Sequence, residues 1–517
     1  MRMDPDASKL DEERAAFDRL QKKFAGQYRR VFSDPLHPRT IVVLPSLTLD
    51  QNVLSGISGV HHYEERMLCL LLLLKFPKAR VIYLSSQPIA DEIIDYYLHL
   101  LPGVPHRHAA KRLTLFPCHD VSSRPLTTKI LERPRLLSRI KGLIDDPATT
   151  HMVCFNVSPL ERRLAVELGI PIYGCDPDLL PIGSKSGGRK LFREAGVTIP
   201  DGFEDLRDAK DVSVALAELK ARYPAMRKAV VKLNEGFSGE GNALFNFDHL
   251  SQGAGLSRSI EEQLHTLKFE AGSMNWETYS GKIGEMGAIV EVFIGGRDKR
   301  SPSCQFRIDP LGALNFISTH DQVLGGSGGQ VFLGCTFPAD PAYCASLQEE
   351  GLKAAKALKD KGVLGRFGVD FITQRHGDTW THHAIEINLR KGGTTHPFTM
   401  LQFLTAGHYD TDQGQYFTPD GRSRFYYATD NLESSNYRGL TPEDLIDFSV
   451  RNGFHFDGAT QRGIVFHLIG ALSEFGKLGA ICIAESAPQA VDLYRDMVSR
   501  LEHENTANDE NANSPAS

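Results

Sequence analysis

The chain has 517 residues, with 58 Lys and Arg against 64 Asp and Glu, for a formal charge of −6. That length exceeds one ordinary hydrophobic core, so three or four domains are expected. The charge balance gives no global reason to expect nucleic acid or an anionic membrane as a partner. The longest apolar run, 67–74, is far too short to span a bilayer.

Residues 1–30 are charged and helix-like and lack the apolar stretch of a signal peptide. The eight cysteines are scattered without a C-x-x-C pair, which argues against zinc and fits the reduced thiols of a cytoplasmic protein. From 40 to 176, strand-like segments (40–44, 79–85, 113–117, 152–157, 170–174) alternate with helix-like ones (61–76, 90–101, 128–144, 160–168). This alternation predicts a parallel α/β layer whose helices supply the crossovers.

The pattern changes at 184. Helices are expected at 185–195, 208–222 and 257–268, with a strand at 229–233 running into glycines. Strands follow at 288–293, 304–308, 314–319 and 331–333. A helix at 341–361 then leads to strands at 366–372 and 383–387. The region 408–503 should hold a hairpin of 463–470 with 480–484 and a helix at 488–501. The tail, 505–517, is rich in Asn, Ala, Ser and Pro and reads as disordered.

Two segments carry chemistry. In the first, an apolar strand delivers Lys232, and Gly236, Ser238, Gly239 and Gly241 follow at once. A lysine at a strand end offers a positive charge for phosphate, and glycines let backbone N–H groups approach its oxygens. No Gly-Lys-Ser/Thr follows, so this is not a Walker loop. In the second, Asp370 interrupts an apolar strand, and Glu386, Asn388 and Arg390 alternate with Ile387 and Leu389. Period two places Glu386, Asn388 and Arg390 on one face. Two carboxylates and an amide oxygen form a hard site suited to Mg²⁺, with Mn²⁺ as the alternative.

A lysine strand with a glycine loop, an apolar strand bearing Asp, then Glu-x-Asn: this order resembles the ATP-grasp superfamily over about residues 180–400. The resemblance implies an α/β and α+β multidomain fold. A Rossmann-like pre-ATP-grasp domain would occupy 1–181. A two-subdomain ATP-grasp core would span 182–407, divided into 182–270 and 271–407, and a small C-terminal α+β domain would cover 408–504. It also implies ATP as cofactor, with Lys190 (Lys185 competing) and Lys232 on the phosphates and the glycine loop closing over them. Glu291 would accept from the adenine amino group beside Phe293 and Ile294, and Asp298 would hold the ribose. Asp370, Glu386 and Asn388 would hold magnesium.

Glu-x-Asn-x-Arg is similar to the biotin carboxylase form of the motif, which implies that Arg390 grips an anion. Gly392 and Gly393 would bind the oxyanion, and Arg307 would contact phosphate or substrate. His320 is a candidate base, and the glycine-rich connection 325–329 a candidate lid. The segments 43–50, 318–324 and 390–397, with the extra C-terminal region, look like the pheganomycin-type peptide ligases. The implied reaction joins a small-molecule carboxylate to the amine of an amino acid or peptide, through an acyl phosphate, with release of ADP and phosphate. Many ATP-grasp enzymes dimerise, so a homodimer stays open. The rival readings are an ATP-grasp small-molecule kinase and a non-catalytic ATP-binding regulator.

Overall fold

The computed structural model describes residues 5–49, 54, 57–236, 241–248, 250, 255–272, 274–296, 298–325 and 331–504. A long helix, Pro5–Phe32, precedes a parallel sheet of β1 (Arg39–Leu44), β2 (Ala79–Ser85), β3 (Leu113–Pro117) and β4 (Thr150–Cys154), in the order β3-β2-β1-β4. Its strands are mostly apolar, and β1, β2 and β4 are almost wholly buried because both faces of the sheet are covered there. Ile41 and Val43 face one core and Val42 and Leu44 another. The expected strand at 170–174 is reduced to a single bridge, Met152–Ile172. The expected helix 128–144 is two helices, Leu126–Leu131 and Pro134–Gly142. Pro134 lacks the N–H that would continue the first and is suited to open the second.

The second layer is antiparallel: β5 (Gly202–Leu206), β6 (Lys228–Leu233), β7 (Asn242–Asn246), β8 (Lys268–Phe269) and β9 (Ala288–Val292), in the order β5-β9-β6-β7-β8. Helices Ala209–Arg222 and Trp276–Met286 bury Val212, Leu216 and Ile283 against Val231 and Val290 of this sheet.

The third layer begins with β10 (Lys299–Arg300), β11 (Pro302–Ile308), β12 (Leu314–Gly325), β13 (Val331–Phe337), β14 (Gly365–His376) and β15 (Thr379–Asn388). A short hairpin follows, β16 (His408–Asp410) with β17 (Gln415–Phe417). Then β18 (Phe425–Glu433), β19 (Gly463–His467) and β20 (Lys477–Ala484) extend the same sheet, because β18 pairs with β13. The nine strands run β10-β14-β11-β12-β13-β18-β20-β19, with β15 on β14. Helix Cys344–Asp360 covers one face through Leu347, Ala354 and Leu358.

The apolar run in 67–74 lies in a 3₁₀ element, Val60–Lys75, with Leu68, Leu71, Leu72 and Leu74 buried. It packs between the first sheet and the helix Thr395–Thr405. The same core takes in Phe337, Tyr426 and Ile481 of the large sheet. All eight cysteines are buried and unpaired. Among the described residues, no helix is long and apolar enough to cross a membrane.

Candidate functional site

A cavity of about 450 Å³ opens between the five-stranded and nine-stranded sheets. On one side, β6 delivers Lys232 at its end, and the next polar residue, Asn234, organises the surroundings. The Asn234 side-chain oxygen accepts from the Ser186 N–H at 3.0 Å and the Ser186 hydroxyl at 2.7 Å. Its amide donates to the Met286 carbonyl at 2.9 Å. The Asn234 carbonyl accepts from the Lys185 N–H at 3.0 Å. The start of helix Lys185–Glu194, capped by Ser184, is thereby fixed to the end of β6. Gly187 is required there, since a Cβ would sit 2.0 Å from the Pro181 carbonyl oxygen.

On the other side, Asp370 of β14 lies opposite Glu386 of β15, and the register shifts immediately beyond them. Glu386, Asn388 and Arg390 all line the cavity, whereas Ile387 and Leu389 enter the core behind. The Asn388 amide donates to Asp370 Oδ2 at 2.9 Å. Lys185 Nζ meets Glu386 Oε1 at 2.6 Å, tying the helix start to this strand. Burial, then the neighbouring Glu386 carboxylate, push Asp370 above the usual carboxylate range. Burial acts on Glu386 in the same sense, but Lys185 and Arg390 outweigh it and hold that carboxylate low.

At the hinge end, where the chain passes from β9 of the five-stranded sheet to β10 of the nine-stranded one, Glu291 of β9 is 1% exposed and accepts from Lys232 Nζ at 2.7 Å and Arg189 Nη1 at 2.5 Å. Burial alone would raise this carboxyl; Lys232 and Arg189 pull it below its ordinary value. Phe293 and Ile294 continue the wall, with Lys299 Nζ 5.6 Å from the Phe293 ring centre. Gln374 donates to the Gly295 carbonyl at 2.7 Å and holds the turn to β14.

Past Arg390 the chain turns through Gly392 and Gly393, both in the cavity wall. Lys391 anchors this turn: its N–H donates to the Phe155 carbonyl at 3.0 Å and its ammonium to that of Cys154. A Cβ on Gly393 would come 2.7 Å from the Phe332 ring, so glycine is required; Gly392 faces open space. The far end gathers residues from distant segments. Arg66 pairs with Asp430 at 2.5 Å and lies over the Tyr63 ring at 4.1 Å, with Lys477 5.2 Å from the same ring.

Of the residues expected from sequence, Lys232, Gly236, Gly241, Glu291, Phe293, Ile294, Asp370, Glu386, Asn388, Arg390, Gly392 and Gly393 line this one cavity. Ser238 and Gly239 lie outside the described residues, as do residues 326–329 of the glycine-rich connection. Lys190 is not brought in. It is half-exposed and paired with Asp205, whereas Lys185 reaches the cavity. The two are five residues apart, hence roughly 140° apart around the helix. Asp298 sits exposed in the turn, and its neighbour Lys299 lines the wall instead. Arg307 follows Gln305 along β11 but lies opposite Arg366, beyond the cavity. His320 is fully buried, with Nε2 2.6 Å from the Tyr426 hydroxyl, and burial pushes it down to about 3. A base sealed in the sheet interior cannot reach a substrate.

Sequence reasoning did not name Arg189, Tyr63, Arg66, Asp430 or Lys477. Arg189 was readable in principle, four residues after Lys185 and so on the same helix face. The others carry no local signal, because only the tertiary fold brings 63–66, 430 and 477 together.

The comparisons with known proteins agree with this fold. A family model described as IQCH-like, ATP-grasp matches residues 181–273 and 261–412, and one described as PGM1 C-terminal domain matches 444–497. The L-propargylglycine–L-glutamate ligase of Streptantibioticus cattleyicolor is 29% identical over 462 residues, covering 88% of this chain and 92% of that protein. The IQ motif-containing protein H of Danio rerio is 24% identical over 91% of this chain, which spans about half, 49%, of that longer protein. Among solved structures, the biotin carboxylase domain of Hydrogenobacter thermophilus 2-oxoglutarate carboxylase aligns with a TM-score of 0.53 at 15% identity over 89% of each chain. An N5-carboxyaminoimidazole ribonucleotide synthetase aligns with a TM-score of 0.51 at 11% identity, over 89% of this chain and 96% of the other. The chain has the ATP-grasp fold, with the cleft between its five-stranded and nine-stranded sheets as the candidate active site.

Proposed function

We propose that the chain is an ATP-dependent carboxylate–amine ligase, forming an amide or peptide bond through an acyl phosphate and releasing ADP and phosphate. The observation that carries this reading is one continuous cavity. It joins an apolar hinge slot, a pair of carboxylates flanked by cations, and an arginine followed by two glycines. The ligase relative, matched over nearly its whole length, supports the same reaction class.

ATP would place its adenine beside Phe293 and Ile294 and its phosphates toward Lys185 and Lys232. Both lysines are held by carboxylates, Glu386 and Glu291, so their positions are set before ligand arrives. Asp370, Glu386 and the Asn388 amide oxygen form a hard donor set that fits magnesium. Among the described residues no cluster of three or more His, Cys, Asp or Glu is arranged to hold a metal. An ion here would therefore complete its shell with phosphate and water oxygens, as Mg²⁺ prefers. When bound, it supplies neutralisation of phosphate charge.

Arg390 can grip the substrate carboxylate with its planar fork. Once the carboxylate is phosphorylated, the carbon is electrophilic. The backbone N–H of Gly393 can receive the oxyanion formed when the amine attacks, whereas that of Gly392 donates to Thr395 Oγ1 at 3.1 Å. Lys391, pinned to the β4 end, keeps that turn in place. Mass spectrometry of products after incubation with ATP, Mg²⁺ and pooled amino acids and short peptides tests the proposal. An ATP-dependent condensation product is expected. A phosphorylated small molecule that forms without any amine would replace the ligase reading with a kinase.

A further inference from the structure

A second cavity, about 410 Å³, adjoins the first on the side away from the hinge. The two share one wall: Lys185, Gly236, Gly241, Glu386, Asn388 and Arg390 face both. On this wall the proposed function assigns Lys185 to the phosphates, Glu386 and Asn388 to the metal and Arg390 to the reacting carboxylate. The shared wall is therefore the place of reaction, and it is open from two directions.

The second cavity also has a defined place in the fold. Its lip is made by Thr48 and Asn156, just past the carboxyl ends of β1 and β4. In the order β3-β2-β1-β4 the chain steps outward from β1 to β3 and then returns to the other side of β1. The gap between β1 and β4 is thus the topological switch point of a parallel sheet, where such sheets bind ligands. The lip is set by reciprocal bonds: the Thr48 N–H donates to Asn156 Oδ1 at 3.0 Å, and the Asn156 amide donates to the Thr48 carbonyl at 2.8 Å. Leu180, Met274 and Met286 also line it, with Lys282 one helical turn before Met286, and the methionines can adapt to varied shapes.

We propose that this second cavity is the chamber for the amine substrate, an amino acid or short peptide that enters amino end first. The assignment rests on the ligase reading. The first cavity holds the nucleotide and the acid, so a nucleophile approaching through it would have to pass both. Through the switch-point chamber it meets the acyl carbon directly at the Asn388–Arg390 wall. The amine nitrogen forms the C–N bond, the bond from acyl carbon to phosphate oxygen breaks, and phosphate leaves with the electron pair. The surplus proton of the amine leaves with phosphate or water. Leu180, Met274 and Met286 would cover the amine's side chain.

The test narrows the chamber without touching the shared wall. The full-length chain and its Leu180→Trp and Met274→Trp variants are incubated with ATP, Mg²⁺ and an equimolar pool of the proteinogenic amino acids, with and without hydroxylamine. Dipeptides and hydroxamates are counted by mass spectrometry. Hydroxylamine is small enough to reach the acyl carbon past either tryptophan. The expected result is that dipeptides fall about tenfold or more, as for a substrate crowded out of its pocket, while hydroxamates hold. Hydroxamate formation also reports that each variant is folded. A parallel loss of both products, or unchanged dipeptides in both variants, would overturn the assignment. A wild-type chain that makes neither product would overturn the ligase reading, and the chamber with it.

Discussion

Lys185 and Lys190 differ in what surrounds them, and that difference makes a sharp prediction. Lys185 faces the cavity on Glu386, whereas Lys190 lies on the surface with Asp205. Lys185→Ala should slow ATP-dependent turnover about tenfold to a hundredfold, the worth of one charge-assisted contact. Lys190→Ala should change it little, since exposed pairs are worth under about 1 kcal/mol. Steady-state ADP release for both variants checks this, and the reverse ranking would refute it. Gly393 gives a second case. A methyl group there meets the Phe332 ring, so Gly393→Ala should displace the turn proposed to receive the oxyanion and lower kcat. Shortening the ring with Phe332→Ala in the same chain should restore part of the loss; a double variant no better than Gly393→Ala would show that the clash is not the cause.

At the scale of elements, Asn234 is the joint between β6 and the helix Lys185–Glu194. Asn234→Ala leaves Ser186 and the Met286 carbonyl without their partner. Unsatisfied buried groups of this kind cost about 1–3 kcal/mol each, so the melting temperature should fall and turnover should fall with it, because the helix start that carries Lys185 loses its tie through Ser186. Thermal unfolding followed by an activity assay checks both; full activity at an unchanged melting temperature would mean that the joint is dispensable. Asn234 carries no motif, whereas the strands it serves were plain in the sequence. Glu386, Asn388 and Arg390 were legible because a strand has period two and Ile387 and Leu389 fill the gaps. Lys190 was misplaced because sequence shows that a helix exists but not how it is turned about its axis; that phase is set by Asn234 and Ser184. His320 looked available because β12 reads as a strand leading to a glycine-rich loop. Only the pairing of β12 between β11 and β13, with Tyr426 nearby, seals the imidazole inside. The extension of the large sheet through β18, β20 and β19 was invisible for a related reason, since strand pairing across so long a separation leaves no local pattern.

Across the whole molecule, a single core joins the N-terminal sheet, the 3₁₀ element Val60–Lys75 and the strands of the C-terminal region. The far end of the cavity, where Arg66 meets Asp430, therefore depends on all three regions holding together. Acid should loosen them. Burial holds His151 and His320 at about 3 and His396 at about 4, all below the ordinary 6.5. A folded-state value below the unfolded one means that unfolding takes up protons. The stability these groups contribute is whole above pH 6.5 and is lost as pH falls toward 3–4. Each costs about 1.4 kcal/mol per pH unit in that window. Melting temperatures measured from pH 7 down to pH 4.5 should drop steeply, and a flat profile would contradict the burial of these imidazoles.

The central claim is that ATP phosphorylates a carboxylate before the amine attacks. Its most direct test uses an amino-acid pool with oxygen-18 in the carboxyl groups, ATP and Mg²⁺, with mass spectrometry of the released phosphate. An acyl phosphate hands one carboxyl oxygen to phosphate when the amide forms, so inorganic phosphate should carry a single oxygen-18 and the nucleotide product should be ADP. Unlabelled phosphate alongside an amide product, or label appearing in AMP with release of pyrophosphate, would contradict it.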